Sequence, residues 1–359
     1  MKLSNFSGVD WFLMVGVLVI LVFSLITLFS INPQLFRSQL LFSIISVVVF
    51  LIITQLNYSI LRHYSSQIYI VSIIILLLVL VLGIESRGSV RWVEFLGFRI
   101  QFSEILKPFL ALTLANYLTS LRSYSFKSFI ISLIFLLPIA FLIFLQPDLG
   151  NALIYVFAAI GILIIYGFPF RWFLGGLALW LLTLPLFWIV LHDYQRERII
   201  TFLNPSRDPL GTSYNAIQAI ISVGSGMIIG RGLGQGTQAE LRFLPEMHTD
   251  FIFATISEEL GFIGSIIIVL AFSFVLYRIY IIIKNAEDKF SKTFSVAVFL
   301  IIFTHFVINI GMNIGILPIV GVTLPFLSYG GSSLLSNFIL LGLLFAVNRQ
   351  KRRDVLEIR

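Results

Sequence analysis

The chain has 359 residues, 58% of them hydrophobic and 11% charged, with a mean hydropathy of +1.02 and a formal net charge of +7. That balance excludes a soluble globular domain, which needs far more polar surface to cover itself. The lack of cysteine excludes disulfides, thiolate chemistry and cysteine-ligated metals. The cations lie in loops between apolar runs instead of forming a dense patch, which argues against a nucleic-acid partner and for membrane topology.

The apolar runs are close to the ~20 residues that cross a bilayer core as helix. In chain order they fall at 10–30, 36–54, 64–83, 102–121, 129–146, 149–167, 171–191, 251–277, 294–317 and 330–348. The expected fold is all-α, a polytopic membrane protein of about ten spans forming one domain. The period-two alternation of a membrane β-barrel is missing. The first run is too long for a signal peptide and lacks a small-residue cleavage site, so it reads as the first span. An even span count puts both termini on one side. Arg349, Lys351, Arg352, Arg353 and Arg359, with Arg278, Lys284, Lys289 and Lys292, make that side cytoplasmic. The loops 84–101 and 192–250 then face outward. They carry Arg87, Arg91, Arg99, Arg196, Arg198, Arg207, Arg231 and Arg242. Two readings stand side by side: a long loop that tolerates charge, or arginine forks that bind an anion outside the membrane.

Several clusters can carry chemistry. Asp250 stands where the eighth run begins; as an N-cap it would satisfy free helix amides, and a cap can also line an active site. Glu258 lies about 12 Å along the same helix, on a face that could share a cavity with Asp250, and Glu259 points away, although structural pairing with a basic group or backbone is the favoured reading for both. Glu104 and Lys107 are three apart on one helix face, either a mutually neutralising pair or a site in which Lys107 meets a phosphate. Pro108 follows and is expected to kink the span. Asp148 in "LQPDLG" reads as a helix N-cap. "GSGMIIGRGLGQGTQ" (Gly224–Gln238) is not a P-loop; it is either a flexible loop or a backbone surface for an anionic headgroup. "ILPIVGVTLPFLSYGGSS" (Ile316–Ser333) is either irregular backbone buried in the protein or a tight exterior loop. His63, His192, His248 and His305 lack ligand spacing. A Mg²⁺ or Mn²⁺ bridged by a carboxylate and a substrate diphosphate would need few protein ligands.

"FLNPSRDPLGTSYNAIQ", "GTQAELRFLPEMHTDFIFA", "LPFLSYGGSS", "QPDLG", "EELGFIG" and the pair Arg91–Trp92 together resemble the shape, elongation, division and sporulation (SEDS) family. The Gly-Thr-Gln before Phe-Leu-Pro-Glu, and the short termini, look more like its elongation branch than its division branch. The resemblance implies ten spans and a peptidoglycan glycosyltransferase of the bacterial cytoplasmic membrane that polymerises lipid II. It matches the family's essential acid to Asp250 and its conserved glutamate and lysine to Glu104 and Lys107. The motif residues Arg91, Trp92, Gln218 and His248 are then expected at the sugar and diphosphate, and Arg91, Lys107, Arg196, Arg198 or a divalent ion can supply the positive field there. It also implies a class B penicillin-binding protein (a transpeptidase) as partner, among other elongation-complex membrane proteins. Two positions depart from the pattern. Phe102 stands where the family has proline, and Met227 where it has glycine.

The chemistry fits one acid. A diphosphate leaves as a stable anion and needs charge neutralisation, so the paired carboxylates of a glycosidase are unnecessary. One base, worth ~10²–10⁴-fold, plus a cationic patch is the minimum. Two rivals remain open on residues alone. A lipid II transporter fits broken helices and basic cavities, although no inverted repeat is visible. A membrane scaffold for other wall enzymes would make Asp250 dispensable.

Overall fold

The computed structural model describes residues 8–86, 89–95, 98–121, 123–191, 193–209, 211, 213–236 and 243–357. Arg87, His192, Arg242, Arg359 and the motif residues 237–242 lie outside them. Among the described residues the chain is mostly helical. Helices α1 (Trp11–Ile31) and α2 (Pro33–Ile53) meet at Asn32, whose side chain accepts from Gln34 N. Then come α3 (Tyr58–His63), α4 (Ser65–Leu82), α5 (Phe102–Ile105), α6 (Lys107–Ser120), α7 (Phe126–Leu145), α8 (Leu149–Tyr166), α9 (Phe170–Val190), α10 (Asp193–Leu203) and α11 (Tyr214–Ser225). The chain closes with α12 (Ile252–Asn285), α13 (Lys289–Asn313) and α14 (Gly331–Glu357).

Eight of these helices are long and apolar enough to cross a membrane, and α9 is a further apolar helix. The fourth expected span is the broken pair α5–α6. The break falls at Leu106, and Pro108 sits in the first turn of α6, where a missing N–H costs nothing. Large apolar side chains such as Val81 and Leu182 face outward on the ring of helices, as a lipid-facing surface requires. The interior is built on α14 and α13. Leu340, Leu341, Leu343 and Leu344 of α14 are all buried, with α2 against one side and α13 against another.

Two departures from helix matter for the site. The segment 84–100 folds as a small antiparallel sheet, β1 (Ile84–Ser86), β2 (Ser89–Phe95) and β3 (Phe98–Ile100), in the order β1-β2-β3. Val90 opposes Glu85 and Trp92 opposes Ile84, so Arg91 is an extra residue in β2, a bulge of the kind that re-aims a side chain. Second, the chain between α13 and α14 is irregular yet buried at Val320, Val322, Leu324, Phe326, Leu327 and Ser328. Its backbone groups find protein partners. Val322 O accepts from Asn309, Leu324 N donates to Ser328 Oγ, Ser328 O accepts from Gln39, and Tyr329 N donates to His248 O. This is the buried alternative, the only tolerated setting for such backbone at membrane depth.

Helix α12 is interrupted at Gly261, whose φ of 66° and ψ of −161° are open to glycine but not to other residues. The loop 226–236 fills the break. Phe262 N and Ile263 N donate to Met227 O and Ile228 O, while Arg231 N and Gly232 N donate to Glu258 O and Glu259 O. These amides are therefore engaged by helix carbonyls and do not form a surface for an anionic headgroup. Met227 carries φ 51°, a left-handed conformation in which glycine would be unstrained.

Candidate active site

Asp250 lies in the turn before α12, and its side chain does not cap that helix. Phe251 occupies the N-cap position and forms no side-chain cap. The third helical amide, Ala254 N, donates instead to Asn313 Oδ1 at 3.0 Å. The Asp250 carbonyl accepts from Asn309 Nδ2 and Asn313 Nδ2, each at 3.0 Å. Its carboxylate lies beside Gly321 (φ 70°), where an added Cβ would stand 3.4 Å from Asp250 Oδ2. Among the described residues no hydrogen bond reaches the carboxylate, which keeps partial exposure. Burial pushes its pKa up to about 6; Glu246 and Asp148 add to the rise, and Arg91 and Arg198 oppose it.

The cations come from different elements. Arg91, aimed by its bulge, puts a guanidinium nitrogen 3.6 Å from Asp148 Oδ1 and remains 30% exposed. Arg198 on α10 completes the positive field at Asp250. Asp148 is the N-cap of α8, as its position suggests, accepting from Asn151 N. It is also a hub, accepting from Gln101 Nε2 at 2.7 Å, Asn151 Nδ2 at 2.9 Å and Ser103 Oγ at 3.2 Å. Those bonds hold a buried carboxylate under Arg91 and orient the guanidinium.

The other sequence-derived candidates separate by place. His248 joins the wall of the site: its carbonyl takes Tyr329 N, and its ring packs 5.5 Å from the Tyr329 ring. Gln218 projects from α11, with its Oε1 buried and without a hydrogen-bond partner among the described residues. The helix α11 packs on α12, and Ala219 clusters with Phe251 and Ala254. Trp92 is half-buried in the sheet opposite Ile84. Arg196 donates to the carbonyls of Trp188 and Ile189, which ties it to the end of α9. Glu104 and Lys107 form the buried alternative. Lys107 Nζ donates to Glu104 Oε2 at 2.9 Å and lies 2.7 Å from His305 Nε2. Lys107 is only 3% exposed, with its ammonium engaged by Glu104 and His305.

Glu258 is not among the charged groups that act on Asp250. The charged groups acting on Asp250 are Glu246, Arg91, Arg198 and Asp148. Glu258 is fully buried against Gly236, and Glu259 accepts from Ser30 Oγ and Gly234 N. Sequence reasoning missed Glu246, Asn309 and Asn313. The two asparagines, four apart in an apolar span, were the available signal, because such residues are expensive there and usually have an assigned partner.

Known proteins share this architecture. The peptidoglycan glycosyltransferase MrdB of Escherichia coli K12 is 34% identical over 342 residues, covering 93% of this chain and 92% of MrdB. A chain of a solved peptidoglycan synthase complex that coordinates polymerization and crosslinking superposes with a TM-score of 0.84. It is 30% identical, with 96% of this chain and 99% of that one covered. The rod shape determining protein RodA of Thermus thermophilus gives a TM-score of 0.74 at 26% identity, covering 96% and 98%. The cell cycle protein family of FtsW, RodA and SpoVE matches residues 4–353, and the chain belongs to that family.

Proposed function

We infer that this protein is a peptidoglycan glycosyltransferase of cell elongation, polymerising lipid II with Asp250 as general base. The observation that carries the role of Asp250 is its unengaged carboxylate. No described donor holds it, burial raises its basicity, and Arg91 and Arg198 stand in its field. The activity rests on the family and on the named relatives.

In the proposed step Asp250 takes the proton from the 4-hydroxyl of the acceptor sugar. That oxygen forms a bond to the anomeric carbon of the donor. The bond from this carbon to the diphosphate oxygen breaks, and undecaprenyl diphosphate leaves with the electron pair. Arg91 and Arg198 neutralise the departing charge. Gln218 and His248 stand on the same side as hydrogen-bonding groups for the sugars. Among the described residues no group of three or more histidines and acids converges on a metal. A divalent cation would ride on the substrate diphosphate, and no step here is routed through it.

The charges at the helix ends support the proposed sidedness. Asp250 heads α12, while Lys284 lies in its last turn and Lys289 opens α13. Arg278, paired with Asp10 at 2.6 Å, and Arg349, bonded to Gln55, belong to that second end. The positive-inside rule supports a cytoplasmic basic end with Asp250 on the outer side. There the sugars of a membrane-anchored lipid emerge. A class B penicillin-binding protein is the proposed partner, supported by the likeness to a chain of a synthase complex.

Asp250→Asn keeps the shape and removes the base. Purified variant given labelled lipid II should lose ~10²–10⁴-fold in polymerisation rate, while its melting temperature at neutral pH rises. The sign follows from linkage. A carboxylate whose folded pKa is raised costs stability that builds as pH rises from the ordinary value of 3.8 and is complete above about pH 6. Full-length glycan made at the wild-type rate would rule Asp250 out.

A further inference from the structure

We propose that the stripe His305–Asn309–Asn313 on α13 is a positioning device for Asp250, with Asn309 at its centre. This rests on the reading of Asp250 as the base.

The three residues are spaced by four, so they climb one face of a single helix. All three are fully buried in an otherwise apolar span. Polar groups there are expensive unless their hydrogen bonds are made; besides Lys107, Ala254 and a bond from Asn313 back to Asn309, these are made to two targets. One target is the turn holding Asp250; the other is the irregular segment 320–323. Asn309 joins them with one amide, donating to Asp250 O at 3.0 Å and Val322 O at 2.6 Å. Gly321, against which the Asp250 carboxylate lies, is thereby fixed to the peptide that carries the carboxylate.

Asn313 supplies the second half of the device. Its Nδ2 also donates to Asp250 O, and its Oδ1 accepts from Ala254 N. That amide is where a capping side chain ordinarily bonds. With Asn313 in place, the helix start makes no demand on Asp250, whose carboxylate is left for chemistry.

His305 anchors the far end. Thr323 O can only accept, so the contact at 2.9 Å puts a proton on Nδ1. Nε2 then accepts from Lys107 Nζ, which also holds Glu104. The pair three apart in α5–α6 thus reaches the rim through His305 and the 320–323 backbone, without contacting substrate.

The test uses the full-length chain in detergent or bilayer discs with labelled lipid II. It reads kcat, KM and the acid limb of kcat against pH, each normalised to folded protein. Asn309→Leu keeps the volume and removes both donors. The expected result is a fall in kcat of up to ~10²-fold, the scale of an ångström-size misplacement, with KM little changed. Asn309→Ser, which retains a single donor, should recover part of that loss. Asn313→Ala should move the acid limb downward, because the freed Ala254 amide recruits Asp250 as a cap and favours its ionised form. The other charges facing Asp250, from Glu246, Arg91, Arg198 and Asp148, are unchanged in these variants. Should neither Asn309 variant fold, Asn313→Ala decides alone. Wild-type kcat and acid limb in the folded variants overturn the proposal. Asp250→Asn is run in parallel: an inactive Asp250→Asn beside a fully active Asn309→Leu sinks the positioning device alone, whereas an active Asp250→Asn sinks the base itself.

Discussion

Glu104, Lys107 and His305 sit inside the bundle, and Asp250, Arg91, Arg198 and Asp148 sit at its rim. Both clusters mix acids with bases, and they are built in opposite ways. In the interior cluster Lys107 and Glu104 are 3% and 4% exposed and bonded to each other, and His305 closes the set. At the rim, Arg91 stays 30% exposed and 3.6 Å from its acid, and Asp250 has no described donor. Desolvated charge is tolerable only when tightly paired. Charge meant to meet a substrate must be left loose, at the edge where water still reaches it.

The comparison can be broken most forcefully at the interior cluster. Lys107→Met leaves Glu104 buried without its cation and is expected to destabilise the protein by ~3–5 kcal/mol. A thermal melt of the purified variant reads this directly. The double variant Glu104→Gln with Lys107→Met should recover much of the loss, because both charges are then gone. An unchanged melting temperature in Lys107→Met would show that the pair carries no structural weight.

The rim should respond chiefly in pH. Polymerisation by the wild type should fall as pH drops through about 6, where Asp250 takes up its proton and ceases to be a base. Arg91 lowers the Asp250 pKa, so Arg91→Gln should shift that acid limb to higher pH, with a smaller loss of melting temperature than Lys107→Met because Asp148 keeps its bonds to Gln101, Ser103 and Asn151. An acid limb left in place would remove Arg91 from the field of the base.

The smallest expected effect lies away from both clusters. Met227 holds a left-handed conformation at 77% exposure, so its side chain contributes little packing to offset the strain. Met227→Gly should stabilise the chain by up to ~1 kcal/mol, read as a slightly raised melting temperature with unaltered kcat.

Much of the fold was legible because bilayer thickness sets a length that composition reveals. The eighth span was expected to stop near 277 but runs to Asn285, since a helix carrying Arg278 and Lys284 can continue past the lipid. The ninth was expected to reach 317 but ends at Asn313, before Gly315 at φ 77°. The sheet at 84–100 went unseen, although the alternation in "SVRWVEF" was its signature. Asp250 stood out as an acid at the start of an apolar run, yet its expected capping role is filled by Asn313, which reaches Ala254 from 59 residues away. Local pattern cannot carry that distance. For the same reason nothing in the spacing of Arg196 and Arg198 told which would turn back onto α9 and which would face Asp250.

The interruption of α12 at Gly261 gives that helix two mechanical parts. The upper part heads off from Asp250 and is gripped by Asn313, and the lower packs along α1. Because the loop 226–236 takes over the peptide bonds that the break leaves open, bending there breaks no helix ladder and exposes no raw amide to lipid. The end beside Asp250 therefore takes its direction from its own neighbours, independently of the line of the longer part below the break.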